Sequence, residues 1–107
     1  MSVKPETPLV QKCLAWLKAQ HGDGYHVHGS IMQRAGEPDI DGWVPDLQGG
    51  YLHLKVEAKI GKNKPSKLQL SRLAQYEQSG YLTGVVYSLE QFTALVALGR
   101  KQREPKT

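Results

Sequence analysis

The sequence predicts a single α/β domain whose elements run in the order α-β-β-β-α-β-α. Three observations predict it. Apolar residues recur at helical spacing near both ends of the chain, residues 51–59 alternate strictly with period two, and glycines and prolines fall between these stretches as punctuation. With 107 residues, 39% of them apolar, the chain is large enough for one core and too small for two.

The elements follow in order. From Thr7 to Gln20, Leu9, Val10, Cys13, Leu14, Trp16 and Leu17 form one apolar helical face, and the Gly22-Asp23-Gly24 turn is expected to end it. Tyr25–Ile31 reads as a strand, residues 33–38 as a polar turn, and Ile40–Val44 as a short second strand. Gln48-Gly49-Gly50 then turns the chain into a third strand, Tyr51–Lys59. Its Leu52, Leu54, Val56 and Ala58 share one face, and Tyr51, His53, Lys55, Glu57 and Lys59 the other. Ser66, with Gln69 three residues on, has the pattern of a capping box, opening a helix with a Leu70, Leu73, Ala74 stripe that lasts until Gly80. Tyr81–Tyr87 is apolar enough to predict a central strand. Ser88 with Gln91 repeats the box pattern, before a helix carrying Phe92, Leu95, Val96 and Leu98 to about Gly99. Residues 100–107 are expected to be a flexible basic tail.

No apolar stretch approaches the roughly 20 residues of a membrane-spanning helix, and the N-terminus lacks a signal-peptide layout. Cys13 is the only cysteine, which excludes an intrachain disulfide and a cysteine-built zinc site and suits a reducing cytoplasm. The net charge of +4 is modest, but its distribution is uneven. Lys55, Lys59, Lys62, Lys64, Lys67 and Arg72 crowd one segment against the single acid Glu57, whereas Glu37, Asp39, Asp41 and Asp46 form an acidic segment just before it. Arg100, Lys101, Arg103 and Lys106 close the chain.

Glu57 and Lys59, two apart on a strand, project from the same face. An isolated pair of this kind is most often a surface ion pair of about 0 to 1 kcal/mol. Asp39 changes its meaning. It lies just before Ile40, in the hairpin arm whose partner carries Glu57, so the turn between Val44 and Tyr51 brings the two carboxylates together. Two carboxylates so placed suit a hard divalent cation that keeps several waters, with Lys59 beside the reacting water or phosphate.

Gly36-Glu37-Pro38-Asp39-Ile40 followed by Val56-Glu57-Ala58-Lys59 resembles the P-D…E-x-K signature of restriction-like, PD-(D/E)xK nucleases, and more narrowly the VRR-NUC branch. The resemblance extends over most of the chain. It includes Glu6 ahead of Leu9-Val10-Gln11, Ser30 and Gln33-Arg34 before the G-x-P-D segment, and Lys64-Pro65-Ser66-Lys67-Leu68-Gln69 after E-x-K. It implies a restriction-endonuclease-like core, a mixed central sheet flanked by helices. It also implies roles: Asp39, Glu57 and the Ala58 carbonyl as ligands of Mg²⁺ or Mn²⁺, Lys59 as assistant to the attacking water, and Gln69 and Glu6 as outer members of the site. Glu6 has an equal alternative as a carboxylate favoured by the helix dipole.

Lys62, Lys64 and Lys67 are expected to contact DNA phosphates. His26 and His28 have strand spacing but lack a third ligand, which favours an ordinary polar strand face. His53 and Asp41 are lesser candidates for the site, Trp16 is expected in the core, Trp43 is a residue that could stack on a base, and nothing resembles an aromatic RNA-stacking platform. The standalone VRR-NUC form, often in phage or prophage settings, resembles four-way (Holliday) junction resolvases. This implies an endonuclease for branched DNA acting as a homodimer, since symmetric junction cutting needs two sites. The alternatives are a nuclease for flaps or other DNA structures and a catalytically silent DNA-binding module of the same fold.

Overall fold

The structure is a computed structural model that describes residues 5–27 and 35–103. The expected contributions of His28, Ser30, Gln33, Arg34 and Lys106 lie outside the described residues. The elements are α1 (Thr7–Ala19), β1 (Asp23–His26), β2 (Ile40–Pro45), β3 (Tyr51–Ala58), α2 (Lys67–Gln78), β4 (Leu82–Val86) and α3 (Leu89–Gln102). They form one four-stranded sheet in the order β1-β2-β3-β4. β1, β2 and β3 are antiparallel neighbours, and β4 joins β3 in parallel after the α2 crossover, so the sheet is mixed.

The period-two pattern of β3 decides where the core lies. Leu52, Leu54, Val56 and Ala58 are buried on the face covered by α1 and α3, together with Val10, Cys13, Leu14, Leu17, Phe92 and Val96. Trp16 is only half-buried, its ring packed edge-on against Phe92 with centroids 5.8 Å apart. Gly24 and Gly42 face each other across β1 and β2. A Cβ on either would meet the Leu17 side chain, at 3.1 Å from Gly24 and 2.9 Å from Gly42. The glycine pair is thus the slot that lets α1 sit close to the sheet.

Several boundaries differ from the sequence expectation, each for a local reason. β1 begins at Asp23, because Gly22 and His21 complete the helix end by bonding back to Leu17 and Lys18, freeing Asp23 and Gly24 to pair with β2. β4 is an edge strand of the described sheet and not a central one. Its apolar character follows from coverage by α2 and α3, which pack on it from the two sides. α3 runs to Gln102, so Arg100 and Lys101 belong to its last turn and not to a tail. The Arg100 guanidinium donates to the Pro45 carbonyl at 3.1 and 3.2 Å, and Arg103 donates to the Gly80 carbonyl at 2.9 Å.

α2 also differs. Leu70 and Ala74 are exposed, and the residues turned inward are Gln69, Arg72, Leu73 and Tyr76, of which Leu73 is buried. α2 packs on β3 and β4 and meets polar and aromatic residues there, so a purely apolar stripe is not what this packing requires. Ser66 caps α2 with the full reciprocal box expected of it. At α3 the box is shifted: Ser88 accepts from the Gln91 N–H at 3.1 Å, but the Gln91 side chain accepts from Tyr87 N–H at 2.8 Å, one residue earlier.

Candidate active site

The register of β2 and β3 builds the site. Ile40 is opposite Val56, which places Asp39, the residue before β2, beside Glu57. The turn before it depends on Gly36, whose φ of +81° suits glycine and whose missing Cβ would lie 2.7 Å from Leu68. Tyr76 on α2 donates to the Glu37 carboxylate at 2.7 Å, and Arg72 donates to the Ala35 carbonyl at 3.2 Å. The segment leading to Asp39 is therefore tied to α2 at two points.

Asp39 and Glu57 are both buried, at 9% and 1% exposure. They are cross-linked through the backbone: the Asp39 N–H donates to Glu57 Oε1 and the Ala58 N–H donates to Asp39 Oδ2, each at 3.1 Å. Lys59 Nζ lies 3.5 Å from Glu57 Oε2, an ion-pair separation, while that oxygen is fully buried and accepts no hydrogen bond. Burial, then the Asp39 carboxylate against it, pushes the Glu57 carboxyl up from 4.5 to about 8, with Lys59 opposing the shift. Such a pair favours a bound proton or a divalent cation, either of which relieves the repulsion between the carboxylates.

The donor set fits a small divalent cation. Two carboxylates, one with an oxygen unsatisfied, stand next to the backbone of Ala58, and magnesium binds through one or two carboxylates while retaining water. Among the described residues no group of three or more His, Cys, Asp and Glu side chains converges, so any cation held here would complete its shell with backbone oxygen and water.

The outer residues are placed less closely. Glu6 is the N-cap residue of α1, but its side chain makes no capping hydrogen bond. Gln69 accepts from Ser66 N–H at 2.8 Å, which commits its oxygen to the cap and leaves its amide N–H groups to offer elsewhere. Lys62, Lys64 and Lys67 are all exposed, on the loop after β3 and at the start of α2. That loop is held to the end of β4 by a 2.8 Å bond from Tyr87 Oη to the Asn63 carbonyl.

Asp41 does not join the carboxylate pair. It accepts from Lys55 at 2.6 Å and from Tyr25 Oη at 2.9 Å. Burial works against the Lys55 charge, but the Asp41 contact outweighs it, and the net pKa is raised. His26 is buried at the end of β1, not on an exposed polar face. Sequence reasoning missed Glu37, Tyr76 and the Lys55–Asp41 pair. The signal was present in the cross-strand position of Asp41 opposite Lys55 and in the i, i+4, i+7 spacing of Gln69, Leu73 and Tyr76.

The chain is an α/β domain, a mixed sheet with two carboxylates and a lysine at the junction of its second and third strands. A solved structure described as a VRR_NUC domain protein has the same fold, with a TM-score of 0.66 over 94% of this chain and 92% of that one, at 18% identity. No family model matches the sequence, and no curated protein does either.

Proposed function

We propose that the protein is a metal-dependent endonuclease hydrolysing DNA phosphodiester bonds, with Asp39, Glu57 and Lys59 as its catalytic centre. The observation that carries this reading is the cross-linked, buried Asp39–Glu57 pair with the Lys59 ammonium 3.5 Å from the unsatisfied Glu57 oxygen.

Asp39, Glu57 and the Ala58 carbonyl would hold Mg²⁺ or Mn²⁺, which would supply an activated water and neutralise phosphate charge. Lys59, at 21% exposure, reaches solvent from beside the buried pair, where its charge stabilises the negative charge developing on the attacked phosphate. The exposed Lys62, Lys64 and Lys67 neutralise flanking phosphates, which makes binding salt-dependent. Gln69 and Glu6 orient water or the lysine at the margin of the site. The substrate is branched DNA, four-way junctions included, and the working unit is a homodimer in the bacterial or phage-infected cytoplasm. The described residues contain no helix long and apolar enough to cross a membrane.

The test is incubation with branched, flapped and linear duplex DNA in Mg²⁺, Mn²⁺ or EDTA. Cleavage is expected only with metal. Lys59→Ala should lower it roughly 10²- to 10³-fold, the range for loss of one charge-stabilising group, while DNA binding persists. Binding without cutting under every condition would replace this reading with that of a silent DNA-binding module.

A further inference from the structure

The site face of the sheet carries a second feature, displaced along β3 from Glu57. Alternation places Tyr51, His53 and Lys55 on the Glu57 side of the strand, and the register sets Trp43 opposite His53. Around them the rings pack edge-to-face: Trp43 with Tyr51 at 5.1 Å, His53 with Tyr81 at 6.4 Å, and Tyr76 with Tyr81 at 5.3 Å between centroids. Tyr51 and His53 nonetheless remain exposed, Tyr51 at 58%. A concavity of about 380 Å³ opens here, lined by Tyr51, His53, Ser79, Gly80, Tyr81 and Arg103. None of the six is acidic, and the Arg103 guanidinium is oriented by its bond to the Gly80 carbonyl at 2.9 Å.

We infer that this concavity is a subsite for an unpaired nucleobase of the bound DNA strand. Three rings offer faces and edges for stacking, and Arg103 offers a cation to the adjoining phosphate. A base inside a duplex has both faces covered by its neighbours, so a pocket of this composition selects a nucleotide that has left the stack. From His53 to Glu57 is four strand residues, about 13 Å, or no more than about four nucleotides at duplex rise. The subsite rests on the nuclease reading for its role, which is to favour substrates with unpaired nucleotides close to the cut.

The experiment is titration in EDTA with a single-stranded oligonucleotide carrying 2-aminopurine, the same strand annealed to its complement, and an abasic strand of equal length. Stacking should quench the fluorescent base. Tyr51→Ala and His53→Ala, each checked for folding by circular dichroism, should weaken single-strand binding roughly 5- to 100-fold and remove the quench. Tyr51→Phe should retain both. Abasic-strand affinity should be insensitive to Tyr51→Ala, and the preference for unpaired over paired DNA should fall. Parent-like single-strand affinity and quenching in both alanine variants would overturn the inference, as would an equal loss for the abasic strand. Base-dependent binding in a protein that never cleaves would sink the nuclease reading and leave the subsite; metal-dependent cleavage without any effect of Tyr51 or His53 would do the reverse.

Discussion

At the scale of single residues, Glu57 is the most consequential side chain of the described structure. A carboxyl whose pKa rises from 4.5 to about 8 binds its proton more tightly folded than unfolded. The stability this contributes is complete below the ordinary carboxylate range and is lost as pH rises through about 8. In the absence of divalent cations, the melting temperature should therefore fall between about pH 5 and about pH 9, and Glu57→Gln should flatten that slope. A slope unchanged in Glu57→Gln would mean that another group carries it. Metal affinity should run the opposite way, rising with pH as the proton is displaced, and proton release is measurable by calorimetry in two buffers. The motif made Asp39, Glu57 and Lys59 visible in the sequence. What the sequence concealed is the environment. Period-two alternation assigns Glu57 to the polar face, and polar faces are ordinarily wet, yet Glu57 is 1% exposed.

At the scale of elements, legibility followed local chemistry. α1, β2, β3 and the Ser66 cap were readable because apolar period, turn glycines and the Ser-x-x-Gln spacing all act within a few residues. The edge position of β4 and the inward face of α2 were not, since both depend on what packs against them. Leu70 satisfies a helical stripe on paper but is 49% exposed, while Tyr76 turns inward to reach Glu37. The Ser66 cap links the two kinds of information, because Gln69 is at once its reciprocal partner and a candidate site residue. Ser66→Ala should cost about 1 kcal/mol, the usual value of an N-cap, read as a shift in denaturation midpoint. It removes the hydroxyl that accepts from the Gln69 N–H and leaves the backbone N–H of residue 66 to hold the Gln69 oxygen. If cleavage is unaffected by Gln69→Ala, Gln69 has no part in the reaction.

For the molecule as a whole, the two faces of the sheet divide the labour. α1 and α3 build the core on one side, whereas on the other α2 leaves room for the carboxylate pair, the Lys55–Asp41 pair and the aromatic concavity. The described residues present one such carboxylate pair, and the proposed symmetric cutting of a junction would require two. Sedimentation at micromolar concentration should show a dimer, formed by the protein alone or on branched DNA; monomer under both conditions would confine it to one strand at a time.

Cys13 gives the molecule a reporter that needs no label. Its thiol is wholly enclosed beneath α1, and burial pushes its pKa up to about 12, so a thiol reagent reaches it only when the core opens. The rate of native-state alkylation therefore measures the opening equilibrium when closing outpaces reaction. Any cation or nucleic acid that binds the closed form slows that rate in proportion to its occupancy. Ligands of the opposite face can thus be ranked through a sulfur atom on the far side of the sheet, in the natural sequence and without turnover.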